Sequence, residues 1–170
     1  VDRLNVAPGG SRLTWTTERG GVVVTLTYRF SASDYLFHVQ GDLSAAGAQG
    51  ALVLVGLGPE LRMVESDSVD DRRSYALVTK ARSTEKLDFN SLTAGQRREL
   101  AGPFDWVALK TKYFVAAVLT VDSAGPKFGG VVAVGGRRSG RQGSRLEAFA
   151  SLPAPSGVFS HAIYLGPQEY

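Results

Sequence analysis

Residues 104–121, FDWVALKTKYFVAAVLTV, constrain the fold most, because their apolar side chains alternate along the chain. Val107 and Leu109 fall on one side of this stretch, while Trp106 and Ala108 fall on the other. A period of two residues is typical of a β-strand. From position 113 onward both sides are apolar, as in a strand that is covered on both faces. The stretch therefore predicts a long strand at the centre of a large sheet, with three aromatic residues in the protein core: Trp106, Tyr113 and Phe114.

The amino-acid composition also favours strands. Twenty glycines and seven prolines, together with many Val, Thr, Tyr and Phe residues, are typical of strands joined by turns. A chain of 170 residues with 44% hydrophobic content can bury a substantial core in one domain but not comfortably in two. We therefore expect residues 1–170 to form a single domain.

Turn residues divide the chain into short extended segments. Gly20 and Gly21, between apolar segments at 13–17 and 22–30, predict a β-hairpin. Further strands are predicted at residues 35–40, 51–57, 75–80, 85–89, 130–134, 146–150 and 158–165. The only helical signal lies in residues 91–100, where Thr93 and Gln96 have capping-box spacing, although Gly95 weakens it. The pattern predicts an all-β fold in which two antiparallel sheets pack as a sandwich.

The charge distribution excludes some classes of partner and suggests others. A net charge of +3 is too small to indicate nucleic-acid binding. Four arginines cluster in a Gly/Ser-rich run: Arg137, Arg138, Arg141 and Arg145. We interpret this run as a solvated loop, with binding to anionic lipid headgroups as the alternative. The chain has no cysteine and no run of eighteen apolar residues, so disulfides, cysteine-ligated metals and a helical membrane span are excluded.

Candidate catalytic and metal-binding residues are few. The two histidines, His38 and His161, lie in alternating segments and are predicted to be packed or solvent-facing rather than catalytic. The sequence contains no HExxH, GxSxG or GxxxxGK motif. Four carboxylates offer oxygen ligands of the kind calcium prefers, but they lack the spacing and glycine of an EF-hand: Glu65, Asp67, Asp70 and Asp71. We therefore predict no catalytic residues, no cofactor and no metal.

Three segments resemble one known family. Residues 105–110 (DWVALK), with 112–114 (KYF) and 116–117 (AA), resemble the W-V-A…Y-F-x-x-A segment in the large periplasmic domain of the YidC membrane protein insertases, of the Oxa1/Alb3 superfamily. Residues 26–30 and 34–39 (LTYRF and DYLFHV) resemble that domain's T-x-x-F…D-Y-x-x-x-V strand pair. Residues 162–169 (AIYLGPQE) are similar to its L-x-V-G-P-x-E ending. Together these segments cover most of residues 13–169.

The resemblance implies a β-supersandwich, the fold of galactose mutarotase-like proteins. It also implies a periplasmic domain of a bacterial inner-membrane insertase, here a fragment that lacks the first strands and is attached to the membrane through segments absent from it. In the family the insertion step belongs to transmembrane helices, so this domain is expected to be non-catalytic. The partners implied are the Sec translocon, its accessory subunits and nascent membrane proteins, with no nucleic acid.

The sequence suggests one docking surface for such partners, within residues 75–119. Extended apolar segments there could accept a partner strand by edge pairing. They are accompanied by five cationic residues: Lys80, Arg82, Lys86, Arg97 and Arg98. A scaffold whose charges only keep it soluble is one alternative. A carbohydrate-binding or mutarotase-like module is another, and it requires exposed Trp or Tyr on a concave sheet and a His/Glu pair within hydrogen-bonding distance.

Overall fold

The described part of the chain folds almost entirely into strands. A computed structural model describes residues 9–43, 50–58, 73–136 and 147–168. In chain order the strands are β1 (Ser11–Arg19), β2 (Val22–Phe30), β3 (Leu36–Asp42), β4 (Ala51–Gly56), β5 (Ala76–Lys80), β6 (Thr84–Asp88), β7 (Arg97–Phe104), β8 (Trp106–Lys110), β9 (Phe114–Leu119), β10 (Phe128–Val134), β11 (Glu147–Ala154) and β12 (Val158–Pro167). A short 3₁₀ helix (Phe89–Ser91) connects β6 to β7.

The strands form two antiparallel sheets of unequal size. The large sheet has eight strands in the order β1-β2-β3-β12-β9-β8-β5-β6, and the small sheet has four in the order β4-β11-β10-β7. The core lies between the small sheet and only part of the large one. It contains Val107, Leu109 and Val118 of the large sheet with Phe128 and Leu152 of the small sheet. The prediction of an all-β, two-sheet antiparallel sandwich is confirmed.

The stretch that dominates the sequence is a hairpin, not the single long strand that its alternation predicts. β8 ends at Lys110, β9 begins at Phe114, and the two strands pair antiparallel. Thr111 closes the turn, because its backbone N–H donates to the Phe114 carbonyl at 2.8 Å and its Oγ1 accepts from the Phe114 N–H at 3.1 Å. The side chains that face the core change from odd positions in β8 (Val107 and Leu109) to even positions in β9 (Val118) at this turn. That change of phase is the sequence signature of the reversal.

The predicted hairpin at Gly20 and Gly21 is confirmed. Both glycines have positive φ angles, 59° and 80°, as the mirror-image two-residue hairpin turn requires. β1 and β2 pair over nine positions without a break. No described residue of β1 belongs to the core cluster, whereas Leu26 of β2 packs against its margin. The β1–β2 hairpin thus extends the large sheet beyond the area that the small sheet covers.

The helical signal in residues 91–100 is misplaced. The 3₁₀ helix lies just before it, and β7 begins at Arg97. The capping-box contact does form, since the Thr93 N–H donates to Gln96 Oε1 at 2.9 Å. It closes a turn rather than a helix, because Gly95 adopts a positive φ of 76° and the chain returns into a strand.

Candidate functional site: two open sheet edges on one side of the sandwich

Among the strands that the structure describes, two edge strands follow each other in the chain. β6 ends the large sheet and β7 ends the small sheet, so the connection between them crosses from one layer to the other. Buried aromatic residues hold this connection, since the ring of Phe89 stacks on that of Tyr75 with centroids 4.0 Å apart. Leu92 is also buried. The sandwich therefore presents two strand edges on one side, both fixed by core packing.

Three of the five predicted cationic residues lie on or next to the large sheet: Lys80 on β5, Lys86 on β6 and Arg82 in the turn between these strands. Lys80 and Lys86 lie on the face away from the core, because the paired Leu77 and Leu87 lie on the opposite face of the same strands and contact the core cluster. Lys86 forms an exposed ion pair with Asp88 at 2.6 Å, and Lys80 Nζ donates to the backbone carbonyl of Arg82 at 3.3 Å. Exposed ion pairs of this kind contribute only about 0–1 kcal/mol to stability.

The other two predicted cationic residues lie on β7 of the small sheet. Arg97 Nε pairs with Glu99 Oε1 at 2.8 Å, and both side chains are exposed. Arg98 lies on the opposite face of the strand, in register with the buried Ala133. Within the parts of the chain that the structure describes, no ion pair involves Arg82 or Arg98. The structure thus divides the five residues between two sheets instead of gathering them on one face.

An apolar groove adjoins the β7 edge. It has a volume of about 560 Å³ and crosses the face of the small sheet that points away from the core. Its floor consists mainly of aliphatic and aromatic side chains: Leu52, Leu54, Val132, Val134 and Phe149. Arg97 and Glu99 border it on the β7 side. This size and lining are typical of sites that bind apolar ligands or segments.

The sequence does not reveal this groove. In β4 both faces are apolar, since Ala51, Val53 and Val55 alternate with the exposed Leu52 and Leu54. Alternation alone cannot say which of two apolar faces meets the other sheet. The nearest signal was Phe149, an aromatic residue between alanines in a strand whose other face carries only small side chains and one leucine.

None of the three predicted core aromatics belongs to the core cluster, so that prediction is wrong. Tyr113 is 39% exposed and Phe114 is 48% exposed. Tyr113 lies in the β8–β9 turn and Phe114 is the first residue of β9, so both are at the end of this hairpin. Lys112 lies over the Tyr113 ring at 5.3 Å. Trp106 is half-buried on the outer face of the large sheet, outside the core cluster, and pairs across β8–β9 with Leu119.

The two histidines lie on opposite faces of the large sheet. His161 is buried next to Val39 of β3 and stacks on Phe159, with ring centroids 6.1 Å apart. Desolvation by burial lowers the pKa of His161 to about 4. Its Nδ1 has no hydrogen-bond partner among the residues that the structure describes. His161 is therefore a neutral residue at the margin of the core, which agrees with the prediction that it is packed rather than catalytic.

His38 is exposed on the outer face of β3. It borders a cavity of about 130 Å³ together with Thr27, Arg29, Gln40 and Ser160, and no carboxylate lines this cavity. A mutarotase-like reaction needs a paired acid and base. Among residues 9–43, 50–58, 73–136 and 147–168 no group of three or more His, Asp and Glu side chains could hold a metal ion either. The His/Glu pair that the carbohydrate alternative requires is not found in this part of the chain.

Two sequence features lie outside the described residues. These are the acidic group at residues 65–71 and the arginine run at residues 137–145. The solvated-loop interpretations of both, and the lipid-binding alternative for the arginines, remain predictions.

Comparison with known proteins agrees with the sandwich geometry. A family model described as "YidC periplasmic domain" matches residues 9–170. The membrane protein insertase YidC of Prosthecochloris aestuarii is 27% identical over 154 residues, an alignment that covers 86% of this chain and 26% of the relative. YidC proteins of Chlorobium limicola and Chlorobium phaeovibrioides are 28% and 29% identical, each over 86% of this chain and 26% of the relative.

The fold is a two-layer antiparallel sandwich, and each layer exposes the edges of its outermost described strands. The chain belongs to the YidC periplasmic domain family, as residues 9–170 show. The curated relatives named above are membrane protein insertases. The chain spans about a quarter of the length of the curated relatives it matches, at 26%. No helix within the described segments has the length and apolar character needed to cross a membrane.

Proposed function

We propose that this domain is a non-catalytic docking and chaperone-like surface, located on the periplasmic side of the inner membrane beside the Sec translocon. It assists the insertion and folding of membrane proteins by holding the translocon, an accessory subunit or a nascent chain near the insertase. Membership of the insertase family supports this role. The observation that carries it is the juxtaposition, along one stretch of chain, of two open sheet edges with an apolar groove.

The β7 edge provides the means of binding. A free edge presents unpaired backbone N–H and C=O groups, to which an extended segment can add as a further strand. The adjoining groove accepts the apolar side chains on one face of that segment, through Leu54, Val132 and Phe149. Hydrophobic client segments match these properties, because they offer a backbone to pair and apolar side chains to bury.

Charge gives the surface a preference among partners. Arg82 and Arg98 are exposed, and neither has an ion pair with another described residue. Positive groups at the border of an interface raise the association rate with acidic partners and suppress cationic ones. We therefore expect docking to weaken as the salt concentration rises.

Site-specific photocrosslinking in membranes tests the proposal. A crosslinker is placed at Lys86 on β6 or at Arg98 on β7 of the full-length insertase, in membranes that contain the translocon. Gln40, exposed on the outer face of β3 and remote from both edges in strand order, is the matched control position. We expect adducts with translocon subunits or nascent chains from positions 86 and 98, and few from position 40.

Charge reversal then separates docking from a passive scaffold. Arg82→Glu combined with Arg98→Glu should reduce the adducts several-fold while the protein remains folded, because both side chains are exposed. Equal crosslinking from all three positions, or adducts that are insensitive to the charge reversal, would show that these edges only decorate a scaffold.

A further inference from the structure

β1 is the least protected of the four edge strands that the structure describes. Its nine residues pair with β2 without interruption and include no proline. The other edges are shorter or broken. β6 has five residues with Lys86 at its centre, β4 has six, and β7 contains Pro103 and shifts its register against β10. A proline, a register shift or a charge at the centre of an edge strand limits how many of its residues a further strand can pair with, and β1 has none of these. β1 can therefore pair with a further strand over its whole length.

The hairpin turn determines which backbone groups of β1 are free. A two-residue turn joins the carbonyl of Arg19 to the N–H of Val22, so these two residues form a hydrogen-bonded pair. Because hydrogen-bonded pairs alternate along an antiparallel ladder, the odd-numbered residues of β1 direct their backbone groups to β2. The even-numbered residues, from Arg12 to Glu18, direct theirs to the free edge. A partner strand must pair with these even positions.

We propose that β1 pairs antiparallel with β1 of a second copy of this chain, in a two-fold register centred on Trp15. This is the register that pairs all nine residues of both copies. It places even positions opposite even positions, so the N–H and C=O groups that β1 directs away from β2 are the ones that pair. It also places Arg12 opposite Glu18 of the second copy at both ends of the pair.

The charges of the hairpin fit this register. Within one copy Arg12 lies opposite Arg29 of β2, a like-charged pair on the outer face. Both arginines and Glu18 are exposed, and no ion pair of any of them occurs among the described residues. The second copy would bring Glu18 next to the two arginines at each end. Opposite charges that face each other across strands stabilise the pair, whereas like charges disfavour it.

The side chains match on both faces of the sheet. On the outer face, Thr14 and Thr16 contact Thr27 and Thr25 at hydroxyl distances of 3.4 and 3.2 Å. The proposed register sets Thr14 opposite Thr16 of the second copy and continues this threonine row across the interface. On the inner face the two Trp15 side chains, each 52% exposed in one copy, would meet directly. Aromatic cross-strand pairs are among the most favourable in sheets.

A single strand pair is a small interface, so the association should be weak. Stable complexes bury about 1,600 Å², more than two nine-residue strands can supply. We expect a dissociation constant on the order of 100 µM. The dimer would be a continuous sheet of sixteen strands, because each copy contributes eight.

Sedimentation equilibrium of the 170-residue chain, up to about 1 mM, tests the proposal with a charge-swap set. Arg12→Glu and Glu18→Arg should each weaken the dimer about tenfold or more, because each creates two like-charged pairs. A mixture of the two single variants should associate again, since every cross-copy pair in it is opposite in charge. The double variant R12E/E18R should recover for the same reason. Arg98→Glu, on the β7 edge, is the matched control and should not change the association.

Two results would overturn the proposed β1–β1 dimer. One is a parent chain that stays monomeric at all concentrations, and the other is a mixture of R12E and E18R that fails to associate. Dimerisation that is lost in the Arg98→Glu variant would place the contact on β7 instead. Recovery in both the mixture and the double variant supports the register centred on Trp15, because other registers do not pair position 12 with position 18.

Discussion

The two halves of the large sheet differ in what covers them. β8 and β1 both carry alternating apolar residues, and both contain a leucine and a tryptophan. Leu109 of β8 is completely buried beneath the small sheet, whereas Leu13 of β1 remains 36% exposed. Trp15 is more exposed than Trp106. The same sequence pattern thus serves as core in one half and as an open surface in the other, so alternation places a side chain on a face without deciding whether that face is covered.

The two halves also differ in their hydrogen bonding. β8 pairs with β5 on one side and β9 on the other, whereas β1 pairs only with β2 among the described strands. β1 is therefore both less covered and less paired than β8. We expect β1 to open locally at a lower free energy than β8, since regions with fewer buried apolar contacts are locally less stable.

The largest expected difference comes from the same truncation in the two halves. Leu109→Ala should lower the free energy of unfolding by about 2–5 kcal/mol, because it leaves a cavity in a close-packed core. Leu13→Ala should lower it by less than about 1 kcal/mol, because the side chain is already partly in water. Urea unfolding of both variants measures the difference. Equal losses would show that the β1–β2 hairpin is packed as tightly as the centre of the sheet.

A pH effect is expected at the boundary between the halves, where His161 is buried. The pKa of His161 is about 4 in the folded chain and 6.5 in the reference state. The unfolded chain therefore binds a proton between these values while the folded chain does not, so stability falls as the pH is lowered from 6.5 toward 4. This difference in pKa corresponds to a loss of about 3 kcal/mol in the free energy of unfolding near pH 4.

The His161→Phe variant should lack this contribution, so its stability should depend less on pH in that window. The phenyl ring retains an aromatic contact with Phe159, which stacks on the imidazole. Val118→Ala is the control, because it truncates a buried residue without removing a titratable group and should lower stability equally at each pH. Urea unfolding at pH 4.5 and pH 7 measures how the stability of each variant and of the parent chain changes with pH. The same slope in parent and H161F would show that His161 does not titrate between pH 4 and 6.5.

A smaller effect is expected where β3 meets β12. The ring of Phe159 occupies the space in which a Cβ at Gly41 would lie. Gly41→Ala should therefore cost about 1–3 kcal/mol through overpacking. Gly56→Ala on β4 is the matched control, because its Cβ would meet the Phe149 ring at an ordinary 3.5 Å. Thermal unfolding of the two variants compares them.

A double-mutant cycle identifies the cause of that loss. Phe159→Leu in the Gly41→Ala background should recover part of the stability, because the smaller side chain vacates the position of the ring. Strictly additive losses would indicate that Gly41 is needed for its backbone rather than for the space above it.

Much of the fold was predictable from local chemistry. The glycine pair located the first hairpin, and alternation located nearly every described strand within a few residues. The strand predicted at residues 146–150 is too short, because β11 runs through Pro153 to Ala154. The strand continues to Ala154 because β10 pairs with it only as far as Ser151, so the missing N–H breaks no ladder on that side. Such a position is recognisable only once the neighbouring strands are known.

Less of the candidate site was predictable. The sequence predicts the five cationic residues as one surface, but the connection through Phe89 and Leu92 divides them between different sheets. Their role in docking remains a prediction. The groove at Leu52, Leu54 and Phe149 is not recognisable from the sequence, because both faces of β4 are apolar. Tyr113 and Phe114 were assigned to the core from their apolar character, although they lie at the end of the β8–β9 hairpin and are exposed.

The amino-acid sequence by itself determined that this chain is all-β, where most strands begin and end, and which side chains share a face, because turn chemistry and period-two alternation act between near neighbours. Only the tertiary structure decided which faces are buried and which edges stay open. The physical reason is that a four-stranded sheet cannot cover an eight-stranded one. Which strands remain uncovered depends on strand order, and strand order is set by contacts between residues far apart in the chain.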